Sequence, residues 1–67
     1  MFVIVRENKS TSEIEVLCKD ENWVLIDSWG SFQHWRYWVD ALQHLLTLER
    51  DHDIYDYRTT EIPVIFK

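Results

Sequence analysis

The densest group of side chains able to do chemistry is ERDHDIYDY, residues 49–57, which sets Glu49, Asp51, His52, Asp53 and Asp56 close together. Carboxylate oxygens suit hard cations, and a D-x-D spacing occurs in calcium loops. This stretch lacks the glycine that the sharp calcium turn needs and the bidentate glutamate at its end. A transition metal would take the histidine together with the carboxylates, but no second histidine stands three or four positions away. The plainer reading is solvated acids between two elements, so no metal is expected. Glu49 and Asp51 would sit at the C-terminal end of a helix, the negative end of its dipole, where acids are slightly unfavourable. Presentation to a cationic partner would account for them.

The other candidates are weaker. His34 and His44 lie far apart on any helix through residues 31–50, about 15 Å along its axis, and cannot share a metal or a proton. Cys18 falls on the same strand face as Ile14 and Val16, the place of an inert buried thiol. Trp23 and Trp29, with Trp35 or Trp38, could in principle cage a quaternary amine through cation–π attraction, but large aromatics are also the simplest filling for a small core. No glycine-rich phosphate loop, HExxH or GxSxG pattern is present, so neither a catalytic residue nor a cofactor is expected.

The elements that must position these residues are legible from polar punctuation, since the chain has one Gly and one Pro. FVIV (2–5) is a continuous apolar run, which predicts a strand buried on both faces or covered at an end. ENKSTS (7–12) is a turn. EIEVLC (13–18) alternates, with Ile14, Val16 and Cys18 opposite Glu13 and Glu15. KDEN (19–22) is a second turn and WVLID (23–27) a third strand. At SWGSFQ the period changes to 3.6, with Ser28 or Ser31 as the helix cap, and the helix is expected over 31–50. IYDYR (54–58) and EIPVIF (61–66) read as extended, either as two pieces or as one long bent strand, with Pro63 at a sheet edge or bulge. The expected fold is α+β: a small antiparallel sheet of three to four strands, ordered β-β-β-α-β, with one amphipathic helix on one face, in a single domain spanning 1–67.

The helix carries more apolar surface than one sheet face requires. At 100° per residue, Phe32, Trp35, Trp38, Val39, Leu42, Leu45 and Leu46 fill an arc of about 140° and are the expected core face. Tyr37, Ala41 and Leu48 lie beyond it and widen the apolar arc to about 220°. Those three, with an edge of Trp38 and the neighbouring Arg36, form the candidate contact strip, because aromatics and arginine dominate binding hot spots.

Charge narrows the partner. The chain of 67 residues has a formal charge of −5, and the excess sits at its two ends: net −3 over 1–28 and net −3 over 49–61. Nucleic-acid affinity comes from neutralising phosphates with Lys and Arg, so direct nucleic-acid binding is not expected. No run approaches the ~20 apolar residues of a membrane span, and MFVIVRENK has no basic segment before its apolar run, unlike a signal peptide. With one cysteine, a reducing, cytoplasmic setting is the expectation. Small acidic α+β proteins without an active site, many of them phage-encoded or bacterial accessory factors, act by occluding or modulating a larger protein. By that analogy of size and charge the expected function is a protein–protein interaction module, inhibitory or regulatory, with a basic protein as partner. Glu13, Glu15, Asp51, Asp53 and Asp56 would steer the encounter and Arg36, Tyr37, Trp38, Ala41 and Leu48 would hold it. The alternative is a structural homodimer or assembly subunit built on the helix flank or on the edge strand 61–66.

Overall fold

The computed structural model describes residues 1–26 and 32–62. Its elements run β1 (Phe2–Asn8), β2 (Ile14–Leu17), β3 (Trp23–Leu25), β4 (His34–Trp35), α1 (Trp38–Thr47) and β5 (Tyr55–Glu61). This is the α+β arrangement anticipated, an antiparallel sheet with one helix. The expected cap residues Ser28 and Ser31, Trp29, and Pro63 with the rest of 63–66 lie outside the described residues.

β1 is the centre of the sheet. One edge pairs along its whole length with β5, from Phe2↔Glu61 to Asn8↔Tyr55. The other edge is shared: β2 takes Val5, Arg6 and Glu7, and β4 takes Phe2 and Val3. β3 extends the sheet beyond β2. As the unbroken run FVIV implies, Val3, Ile4 and Val5 are all buried. Val3, Val5 and Val16 form one cluster, against which Ile14, Val24, Phe32 and Ile62 pack. Ile4, Leu17 and Leu45 form the other, closed by Trp23, Trp35, Leu42, Leu48 and Tyr57. Both turns expected from polar residues are present. Asn8 Oδ1 accepts from the N–H groups of Ser10 and Thr11, and Asp20 Oδ1 accepts from that of Asn22. Such Asx contacts stand in for backbone bonds where the chain reverses.

The helix differs from the expected 31–50: it covers Trp38–Thr47, and residues 34–35 form a strand instead. FQHWRYW is as suited to an extended edge as to a helix, since aromatics favour strands. The sheet settles the matter, because β2 leaves the N–H and C=O groups of β1 unpaired near Phe2, and buried backbone groups need partners. The segment 32–35 supplies them. Phe32 bridges Cys18, Gln33 N–H donates to Leu17 O at 3.0 Å, and His34–Trp35 pairs with Val3 and Phe2. The helix then starts at Tyr37, an extended cap residue that makes no side-chain capping bond.

The helix is also turned. Ala41 and Leu45, four apart and so on one face, are its buried residues. The buried direction is rotated by roughly 90° from the centre of the expected apolar arc, at 100° per residue.

Candidate functional site

That rotation decides which side chains are available. Ala41, placed by sequence in the contact strip, is fully buried (0%), and Leu45 nearly so (6%). Leu48 is half-buried and packs into the cluster of Ile4, Leu17 and Leu45. Two residues expected in the core are instead at the surface, Val39 at 50% and Leu46 at 58% exposed, and Trp38, expected in the core with one edge in the contact strip, is 52% exposed. Tyr37, at 59%, keeps its expected exposure, and Arg36 stands over its ring at 5.6 Å from the centroid. The exposed apolar strip of the helix is therefore Trp38, Val39 and Leu46, with half-buried Leu42 between them, and Tyr37 stands at the extended cap before it. Val39 and Leu46 were missed because the period alone puts them beside Leu42, on the wide apolar arc, and says nothing of which flank meets the sheet.

The two flanks of α1 have different neighbours. On one side His44 stacks on Trp35 of β4, ring centroids 5.0 Å apart, and its Nε2 lies 3.6 Å from Glu21 Oε1 in the β2–β3 turn. On the other side Trp38 Nε1–H donates to Thr59 Oγ1 of β5 at 2.9 Å. Viewed down the helix, Leu42, Leu46 and Val39 fall on the Trp38 side of Ala41 and Leu45. The exposed strip thus overlooks β5.

A second feature lies beyond the C-terminal end of α1. Phe2, Ile4 and Arg6 share one face of β1 by strand alternation, so Arg6 stands on the helix side of the sheet where the helix has ended. Its guanidinium lies between two rings, 4.5 Å from the centroid of Trp23 and 4.0 Å from that of Tyr55. Its Nε donates to Glu15 Oε1 at 2.8 Å. Glu15, an expected contact acid, is thus half-buried and tied to Arg6, its direct neighbour across the β1–β2 ladder. The Trp23 face considered for a ligand's cation is occupied by the protein's own Arg6. A charged residue at an inward strand position, opposite one of the other sign, was the sequence signal for this pair.

Arg6 and Tyr55 help line an open cleft of about 520 Å³, together with Glu49, Arg50, Asp51 and Asp53 from the segment after α1. Asp51 is used locally: its N–H donates to Tyr57 Oη and its Oδ1 accepts from Asp53 N–H, each at 3.1 Å. Asp56 is exposed, 3.9 Å from Lys9 Nζ, while Lys9 Nζ also donates to the His52 carbonyl. Glu13 is exposed in the β1–β2 turn. The ten residues singled out from the sequence therefore do not converge. Arg36, Tyr37 and Trp38 mark the start of α1, Asp51 and Asp53 the cleft, Asp56 the outer part of β5, and Glu13 a separate turn.

Among the described residues no three His, Cys, Asp or Glu side chains are placed to hold a metal ion. Cys18 is buried; desolvation, and then the charge of Asp20, push its thiol above the ordinary value, the opposite of what a nucleophile needs. No helix among the described residues is long and apolar enough to cross a membrane. Compared with known proteins, the chain matches no family model, no curated protein and no solved structure.

Proposed function

We propose that this protein works by binding another protein chain through the β5-side flank of α1, and not by chemistry on a small substrate. The observation that carries the reading is the exposure of three large apolar side chains, Trp38, Val39 and Leu46, on one short helix, with exposed Tyr37 at its cap. Contiguous apolar surface costs solubility unless a partner covers it, and aromatic rings bring large contact area at low entropy cost. Arg36 over Tyr37 adds a cation at the rim. A second contact, electrostatic in kind, is favoured by Glu49, Asp51 and Asp53 at the cleft. These acids would speed the encounter with a basic surface, an effect that fades with salt.

A photo-crosslinking residue at Val39 or Leu46, with Ser10 on the distant β1–β2 turn as control, tests the reading in the native cell. Protein adducts at 39 and 46 but not at 10 are expected. Absence of any adduct at both strip positions would overturn it.

A further inference from the structure

We infer that the partner on this flank is a second copy of the chain, joined edge to edge through β5, so that two sheets become one and two α1 helices lie side by side. The inference rests on the reading of the flank as a binding surface and names its occupant.

The β1–β5 ladder fixes which groups of β5 face outward. Ile62 N–H donates to Met1 O, and Lys9 N–H to Ile54 O. In an antiparallel ladder hydrogen-bonded pairs alternate with non-bonded ones, so residues 54, 56, 58, 60 and 62 direct their backbone groups at β1. Tyr55, Tyr57, Thr59 and Glu61 direct theirs away from the sheet. Among the described residues no strand pairs with that outer edge. It is seven residues long and holds no proline, whereas exposed edges are commonly short or blocked.

The flank and the edge are one surface, because the Trp38–Thr59 bond brings the start of α1 onto β5. Edge-to-edge pairing about a two-fold axis perpendicular to the sheet keeps both helices on the same side. It turns the two β5-side flanks toward each other, helices antiparallel. A foreign strand would satisfy the edge but leave Val39 and Leu46 without a matching apolar surface; a second copy supplies both.

Charge selects the register. A two-fold on Tyr57 makes Tyr57 and the partner's Tyr57 a hydrogen-bonded pair, with Tyr55 against the partner's Thr59. Asp56 then stands opposite the partner's Arg58, and Arg58 opposite the partner's Asp56, in the closer non-bonded positions; Arg58 already donates to Glu7 Oε1 of its own chain at 3.2 Å, and the partner's Asp56 would be its second carboxylate. A two-fold on Arg58 would oppose two arginines instead. On α1 the flank itself carries no charge, since Asp40 falls on the His44 side of the helix, and the acids at 13–21 and 49–51 lie off it. In a chain with charge −5, the like charges this register opposes are at the strand ends, Glu61 against the partner's Asp53, and the two Asp56–Arg58 pairs offset them.

The test is sedimentation equilibrium, combined with mixing of single-cysteine variants. The wild-type chain is expected at twice the chain mass, with Leu46→Asp and Val39→Asp dissociating at least tenfold more readily, and with equal melting temperatures at a concentration where all three are monomeric. Asp56→Cys mixed with Arg58→Cys is expected to give an oxidised dimer that neither variant gives alone. A monomeric wild type, or dimers unaffected by both flank variants, would overturn the proposal. If the photo-adduct at 39 or 46 has another protein's mass while the wild type is monomeric, the second copy is wrong and the binding flank stands. Absence of adducts removes both.

Discussion

The two flanks of α1 are built from similar materials and meet opposite fates. On the β4 side, His44 is half-buried against Trp35 and close to Glu21. On the β5 side, Trp38, a larger and more apolar residue, keeps half of its surface in water, with Val39 and Leu46 beside it. Hydrophobicity does not explain the difference, because the more apolar flank is the open one. Position does. β4, β2 and the β2–β3 turn rise beside the first flank, whereas β5 is the last strand on its side among the described residues. A helix of ten residues seated over the centre of a sheet finds neighbours only where the sheet continues, and the surplus remains at the edge where it stops.

The sharpest contrast joins two adjacent leucines. Leu45→Ala removes a side chain buried between the flanks and is expected to cost about 2–5 kcal/mol, read by urea or thermal unfolding. On the closed flank, His44→Ala loses the ring contact with Trp35, worth about 0.5–1.5 kcal/mol, in the same assay. A cost as small as that of an open-flank variant would erase the distinction between the sides.

The turn that presents Glu21 to His44 offers a pH test. The side chain and backbone N–H groups of Asn22 hold the Asp20 carboxyl below its ordinary range. A carboxyl lowered in the folded state adds stability that is complete above the unfolded value and disappears as pH falls through the folded one. Wild type should therefore lose this contribution below pH ~4, and Asp20→Ala should flatten that part of the acid limb in melting-temperature profiles. The smallest effect is expected on the open flank: at a concentration where both chains are monomeric, Leu46→Ala should stay within about 0.5 kcal/mol of wild type.

Particular residues show what could be read in advance. The hairpins follow from local chemistry, with Ile14, Glu15 and Val16 alternating and Asn8 and Asp20 closing the turns, and they lie close to where the sequence puts them. The start of the helix depended on something distant, the vacant backbone of Phe2 and Val3, which recruited 34–35 as a strand. The rotation of α1 was hidden for a related reason. With apolar residues over about 220° of the helix, several orientations bury a greasy face, and the choice falls to the fit of Ala41 and Leu45 on the sheet. Arg6 and Glu15 were visible as opposite charges on neighbouring strands, but their enclosure by Trp23 and Tyr55 required knowing that the helix ends before covering them.

The most direct measurement of the central claim is sedimentation equilibrium of wild type and Leu46→Asp, paired with their melting temperatures at a concentration where both are monomeric. The account predicts a self-associating wild type, a variant at single chain mass, and equal monomer stability. Two chains of identical mass would contradict it, as would a variant destabilised to the degree of Leu45→Ala, which would place Leu46 in the core.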